Sequence, residues 1–279
     1  MSKVLKSAVL MSVWGKDDPS LLDNALRSVL ENTCENMQNN LYLGVDGPAP
    51  PEIDEVIYKW SGKCHVILRN TENIGLSRTL NRLIDQLEEE DLIFRMDADD
   101  VSLPARYSIQ HEFMANNHDI DALGGSIIEI DEEGREIFRR TYPSEPDVIS
   151  RYITKACPLA HPSVCFRGDF FKRYGKYSEH LRTNQDLELW FRALAQGARL
   201  ANIPEPLVAM RYSEDLLRRR HSWSRAWPEF KVYMRGIWRL HGVTWRYAYP
   251  LLRFVSRIGP VWLSRRLYSG RIRRWLNTK

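Results

Sequence analysis

The chain has 279 residues, 43% hydrophobic and 27% charged, with a net charge of +4, the profile of an ordinary globular protein long enough to bury a full core. No stretch approaches the roughly 20 apolar residues needed to cross a bilayer as a helix, which excludes a transmembrane segment of that kind. The small net charge hides an asymmetry: residues 218–279 hold sixteen Lys and Arg against one acid, Glu229, a net of +15, while residues 1–217 carry −11.

Such a shift marks a functional boundary near residue 217, dividing 1–217 from a basic segment 218–279. That segment also holds six of the nine tryptophans, and aromatic content of this kind belongs to a folded or surface-bound segment rather than a disordered tail. At the other end, Lys3 and Lys6 precede a short apolar run, Ala8-Val9-Leu10-Met11, as in a signal peptide. The run passes straight into Gly15-Lys16-Asp17-Asp18-Pro19 without a small-residue cleavage site, so it reads as a first strand. Cys34, Cys64, Cys157 and Cys165 show no metal-ligand or CxxC spacing and read as reduced thiols of a cytoplasmic protein.

In chain order, 8–14 reads as a strand and 20–32 as a helix with Leu21, Leu22, Ala25, Leu26 and Val29 at helical spacing. A strand over 41–45 ends in the turn Asp46-Gly47-Pro48, a helix follows over 53–60, then a strand over 65–68. Residues 76–87 carry Leu76, Leu80, Leu83, Ile84 and Leu87 on one helical stripe, and 92–96 is an apolar strand ending at Asp97. This alternation predicts an α/β fold with a parallel sheet and right-handed crossovers. Ligands of such sheets sit beyond the carboxyl ends of the strands, which puts Asp46 and Asp97 in one crevice. In the basic segment, 229–241, 244–257 and 260–276 read as helices, the last with Val261, Tyr268, Ile272 and Trp275 on one face and Arg266, Arg273 and Arg274 on the other.

Asp97-Ala98-Asp99-Asp100 places three carboxylates within four residues. They repel one another unless a hard divalent cation, shared with substrate phosphates, joins them; the other reading is an acidic turn capping the helix that starts near Pro104. In Asn73-Ile74-Gly75-Leu76-Ser77, the glycine permits close backbone approach and the following helix N-terminus offers N–H groups to an anion, or is simply capped. Asp186 opens a helix whose Leu187, Trp190, Phe191 and Leu194 form an apolar stripe, either as a cap or as a base facing a cleft. His161-Pro162-Ser163 precedes an apolar strand, where a histidine is structural or faces the site.

Taken in order, these pieces resemble the family 2 glycosyltransferases, inverting enzymes with the GT-A fold. The resemblance covers residues 8–212. It rests on the loop from Trp14 to Asp17, Val45-Asp46-Gly47, Asn73-x-Gly75-Leu76, Asp97-Ala98-Asp99-Asp100 with Pro104-x-Arg106, Gly124-Gly125, His161-Pro162-Ser163, Gln185-Asp186-x-Glu188-Leu189-Trp190-x-Arg192 and Met210-Arg211-Tyr212. The acidic and Gln-Asp motifs look most like those of bacterial enzymes building O-antigen or exopolysaccharide repeat units.

The resemblance implies a Rossmann-like GT-A fold: a mixed, mostly parallel sheet flanked by helices, extended by the C-terminal basic helices. It implies a UDP-sugar donor held by Trp14, Asp46, Asn73, Gly75 and Asp97, Mn²⁺ or Mg²⁺ on Asp99 and Asp97, and Asp186 as base. His161, Glu188 and Trp190 would lie on the acceptor side, and Arg211, Arg219 and Arg220 would close over the diphosphate. The acceptor would be a polyprenyl-diphosphate-linked saccharide. Two departures stand out: Gln185 replaces the family's usual Glu before the base, and Thr79-Leu80-Asn81 replaces its Ala-Arg-Asn.

The basic, aromatic segment suits the headgroup region of an anionic membrane, placing the protein peripherally on the inner face of a bacterial plasma membrane; a helical cap on the catalytic domain is the other reading. A sugar nucleotidyltransferase is the nearest alternative enzyme, but Trp14-Gly15-Lys16-Asp17 is a poor match to its Gly-rich phosphate loop. A non-enzymatic membrane or nucleic-acid adaptor fits the charge of the tail and explains none of the acidic motifs.

Overall fold

The computed structural model describes residues 5–32, 37–212 and 223–258. Strand β1 (Leu5–Trp14) leads into helix α1 (Pro19–Leu30), whose start is set by Asp18: its Oδ1 accepts from the Ser20 and Leu21 amides at 2.8 and 3.1 Å, with Pro19 in the first turn. Strand β2 (Met37–Asp46), α2 (Pro51–Trp60), β3 (Cys64–Arg69), α3 (Leu76–Ile84) and β4 (Leu92–Asp97) complete the alternation expected from the sequence. Helix α3 stops at Ile84, three residues short of the expected 87, and Gln86 and Leu87 form a turn.

β1 pairs in parallel with β2 and β4, and β2 with β3. The remaining strands are β5 (Val101–Ser102), β6 (Ala122–Ile130), β7 (Glu136–Arg140), β8 (Cys165–Arg167) and β9 (Leu200–Arg211). They extend the sheet in the order β3-β2-β1-β4-β8-β6-β9-β5, with β7 paired to β6. β8 runs antiparallel to both β4 and β6, β9 runs parallel to β6, and β5 is antiparallel on β9. The register of β6 on β9 shifts opposite Pro206, where a residue without an N–H cannot continue the ladder.

Alternation along the central strands feeds two cores. Val9, Met11 and Val13 of β1 with Phe94 and Met96 of β4 pack under α1, α2 and α4 (Arg106–Asn116). Ala8, Leu10 and Ile93 face the other way, toward α3, α5 (Pro146–Tyr152), α6 (Phe170–Tyr174) and α7 (Gln185–Ala195). Helix α8 (Trp223–His241) sends Val232, Tyr233 and Ile237 into this second core. The fit is close: a Cβ on Gly236 would lie 2.2–2.5 Å from ring atoms of Phe191. A 3-10 turn (Trp245–Tyr247) then leads into α9 (Ala248–Ile258). Two of the tail helices expected from the sequence are thus present, α8 longer at its start and α9 preceded by the 3-10 turn; the third, 260–276, lies outside the described residues.

Candidate active site

The crevice expected at the strand ends is present. Trp14 stands opposite Asp46, and Ser12 opposite Asp97, so β1, β2 and β4 open on the same edge. The Asp46 carboxylate turns inward there. Its Oδ1 accepts from the Ile74 amide at 2.9 Å and Asn70 Nδ2 at 3.1 Å, and its Oδ2 from the Gly75 amide at 2.9 Å, while Asn73 Nδ2 donates to the Asp46 carbonyl at 3.3 Å. The Ile74 and Gly75 amides just before α3 are therefore engaged by a side chain. Asp46 holds the Asn73–Gly75 loop against the strand ends, and Gly47 allows the approach: its φ is +92°, and a Cβ would stand 2.7 Å from the Asn73 nitrogen.

Trp14 forms the rim, 42% exposed, with Lys16 Nζ 4.9 Å from its ring centroid. Its amide donates to Asp17 Oδ2 at 2.7 Å, which folds Asp17 back toward the acidic triplet. Asp97, Asp99 and Asp100 occupy the turn between β4 and β5. They do not cap α4, which starts at Arg106 after Ala105 and has no side-chain cap. The protein atoms crowding Asp99 and the charges of Asp97 and Asp17 push its carboxyl up to about 6. Burial, then the charges of Asp97 and Asp99, raise Asp100 well above the ordinary carboxylate range, although it accepts from the Arg211 amide at 3.0 Å. Burial, and then Asp97, raises Asp17 as well. Like charges on one edge make their neighbours harder to ionise. Among the described residues no three or more His, Cys, Asp or Glu side chains already surround one metal position.

One cation is built in. Arg95 lies on the same face of β4 as Asp97, is 1% exposed, and donates from Nη2 to the Asp97 carboxylate, while its Nε and Nη1 are buried without a partner. Arg106, fully buried, supports this strand from the opposite core: its Nη2 donates to the Arg95 carbonyl at 2.8 Å and its Nε to Gln110 at 3.1 Å. His161 sits in a 3-10 turn (His161–Ser163), its Nε2 2.8 Å from the Tyr177 hydroxyl. Burial, with the Arg95 charge, pushes its imidazole down to about 3, so it is neutral at working pH.

Asp186 opens α7, half-buried, behind Asn184 at φ +60°, the one non-glycine with positive φ among the described residues. Asp186 Oδ2 accepts from the Cys157 thiol at 3.6 Å. Burial raises its carboxyl despite the Leu187 amide, and the Asp97 charge adds to the rise. Other residues of the same motif turn away. Glu188 pairs with Arg192 at 3.0 Å, and Arg192 Nη2 also donates to the Lys176 carbonyl at 2.6 Å, which anchors the loop carrying Tyr177. Trp190 is fully buried and stacks on Phe166 with centroids 5.7 Å apart. Trp190 is thus a core residue, which corrects its acceptor-side expectation, while Glu188 is partly exposed and paired with Arg192.

Arg211 Nη1 donates to the Asp131 and Glu132 carbonyls at 3.3 and 3.2 Å, so its guanidinium serves the β6–β7 hairpin rather than the acid edge. Arg219 and Arg220 lie outside the described residues. Sequence reasoning missed Arg95, whose signal was a lone charge inside an apolar strand, and Tyr177 and Cys157, which carried none.

The glycosyl transferase family 2 profile matches residues 9–175, a stretch holding the acid edge, Arg95 and His161. The chain belongs to glycosyl transferase family 2. Among family relatives, it is 29% identical to the amylovoran biosynthesis glycosyltransferase AmsE of Erwinia amylovora, over 94% of this chain and 97% of that one. It is 31% identical to the UDP-Gal:alpha-D-GlcNAc-diphosphoundecaprenol beta-1,3-galactosyltransferase of Escherichia coli, over 81% and 82%. In fold it resembles S. aureus TarS 1–349, with a TM-score of 0.65 at 15% identity, over 99% of this chain and 76% of that one. The GT-A architecture expected from the sequence is therefore the one observed, and this family 2 chain is a glycosyltransferase. Where the family's Ala-Arg-Asn is replaced, the nearby arginines are occupied: Arg82 donates to Asn70, and Arg78 lies 3.6 Å from Glu179.

Proposed function

We propose that this enzyme transfers a hexose or N-acetylhexosamine from a UDP-sugar, with inversion and with Mn²⁺ or Mg²⁺, to a polyprenyl-diphosphate-linked saccharide in surface polysaccharide synthesis. The observation that carries the reading is the shared electrostatics of the crevice. Burial raises the carboxyls of Asp99 and Asp100 on the acid edge and of Asp186 at the start of α7, and the Asp97 charge adds to each rise. A base close enough to feel the charge of the acid edge supports a single displacement, which needs both at one reacting centre. The named acceptor and donor of the Escherichia coli galactosyltransferase, and the TarS structure with UDP-GlcNAc, support the choice of substrates.

Asp99, and Asp97 shared with Arg95, would hold a hard cation through the carboxylate oxygens it prefers. A cation held there would supply positive charge against the negative charge that grows on the leaving UDP. The rest falls to the chain's own residues. Trp14 offers an aromatic plate at the rim, and Arg95 orients Asp97 through its hydrogen bond. Asp186, raised from the ordinary carboxylate range, accepts the proton of the acceptor hydroxyl as its oxygen bonds to the anomeric carbon and the bond to UDP breaks. The decisive experiment is a screen of UDP-sugars with a synthetic lipid-diphosphate saccharide and Mn²⁺, read by mass. Asp186→Asn should retain UDP affinity and lose about 10²–10⁴-fold in turnover. Turnover close to the parent's would move the base elsewhere.

The same reading places the enzyme peripherally on the inner face of the plasma membrane, where such an acceptor lies. Among the described residues no helix is long and apolar enough to cross a membrane, and the surface charge of residues 218–279 supports attachment.

A further inference from the structure

Helix α9 is built inside out. Its apolar residues Leu251, Leu252 and Val255 fall at helical spacing on the outer face, 49%, 68% and 51% exposed, while its arginines point inward. Arg253 Nε and Arg257 Nη1 both donate to Glu229 of α8, which is 5% exposed and is the one acid of residues 218–279. The segment's single negative charge thus fastens α9 in the orientation that presents leucines to the outside. A helix packed for stability alone would be turned the other way.

The surroundings of this stripe have a consistent chemistry. Trp223 and Trp227 of α8 border it, packed on Phe254 of α9 at 5.3 and 5.8 Å between centroids, and both are exposed. Trp245 stands exposed at the stripe's other end. Along α8, exposed Lys231, Arg235 and Arg239 recur at one-turn spacing, with Lys231 Nζ 5.2 Å from the Trp227 ring. Among the described residues of 223–258 there is no exposed acid, because Glu229 is buried. Apolar side chains at the centre, tryptophans at the margin and uncompensated bases around them match the depth profile of an anionic bilayer: acyl chains, then the headgroup boundary, then phosphates.

We infer that the outer face of α8 and α9 is a bilayer-docking surface, with Leu251, Leu252 and Val255 entering the acyl boundary of an anionic leaflet. This deepens the peripheral placement proposed above by naming the face, and it makes part of the attachment apolar and therefore resistant to salt. A neutral surface lacks the phosphate charge that the bases require, and a protein partner would need an acidic counterpart to the same stripe.

The test uses the full chain and flotation with phosphatidylglycerol/phosphatidylethanolamine vesicles at low and high salt. The parent should float, and a fraction should stay bound at high salt. Leu251→Glu/Leu252→Glu should lower vesicle affinity by about tenfold or more at both salts, with an unchanged melting temperature and unchanged transfer to a water-soluble short-chain acceptor. If the double variant melts early, Val255→Asp alone replaces it, with the same expectation. Flotation of the variant equal to the parent's overturns the inference. So does a parent that fails to float, or one that self-associates in solution through this stripe while the variant is monomeric, which would assign the face to a second copy. Absence of transfer by the parent with every UDP-sugar would instead count against the function proposed above, and leaves the flotation result standing.

Discussion

Asp99 is the residue on which solution conditions act most directly. With its carboxyl pushed up to about 6, the metal-free folded chain holds a proton there that an unfolded chain, with an ordinary value near 4, has already released. The sign follows: this proton's contribution to stability is present at low pH and disappears as pH rises through about 6. In the proposed reading metal and UDP bind the ionised form, so their affinity should rise across the same interval. Melting curves at stepped pH, with and without Mn²⁺ and UDP, should diverge above about 6, and Asp99→Ala should show no divergence. Arg95→Met should shift the point of divergence upward, since the Arg95 charge is among the effects holding the Asp99 carboxyl down; an unmoved midpoint would leave Arg95 a packing residue only. Asp97, Asp99 and Asp186 were legible in the sequence because each belongs to a short local motif. Trp190 was misread because motif proximity says nothing of helix face: it lies four residues beyond Asp186 on the stripe that the second core consumes. Tyr177 was invisible because its partner, His161, comes from a different loop.

Among the elements, β1 to β4 could be read in order because each strand and helix carries its own periodicity. The second half of the sheet could not. β6 pairs with β9 across some eighty intervening residues, and β8 contributes only three residues between β4 and β6, so the pairing lies in no local pattern. Two glycines test element contacts that are now visible. Gly47→Ala adds a Cβ at positive φ and against the Asn73 nitrogen. The expected cost is about 1–2 kcal/mol or more, with weaker UDP binding as the Asn73–Gly75 loop moves off Asp46. Gly236→Val forces α8 off Phe191 and should destabilise by roughly 1–3 kcal/mol without altering the affinity of the folded enzyme for UDP. Chemical denaturation and calorimetry separate the two outcomes; equal loss of UDP affinity in both variants would mean that α8 communicates with the crevice.

For the whole molecule, the abrupt change of charge near residue 217 does not coincide with a break in packing. Val232, Tyr233 and Ile237 share a core with Phe191 and Leu194, so a chain ending at Leu217 should expose that apolar face. Aggregation on expression is the expected result, measured by light scattering against the full chain. The tail's composition was legible, but its orientation was not, because only the buried position of Glu229 reveals which side of α9 faces outward. A last consequence concerns how this enzyme selects its donor. The Ile74 and Gly75 amides leading into α3 already hold the Asp46 carboxylate, so in the proposed reading the diphosphate relies on the cation rather than on these two amides. Retention on a UDP-bearing resin should consequently depend on divalent cation, and a chelator should elute the protein under mild conditions. The property would serve as a practical handle for isolating active enzyme, and elution only by excess UDP, with chelator ineffective, would show that the anion is held by protein groups alone.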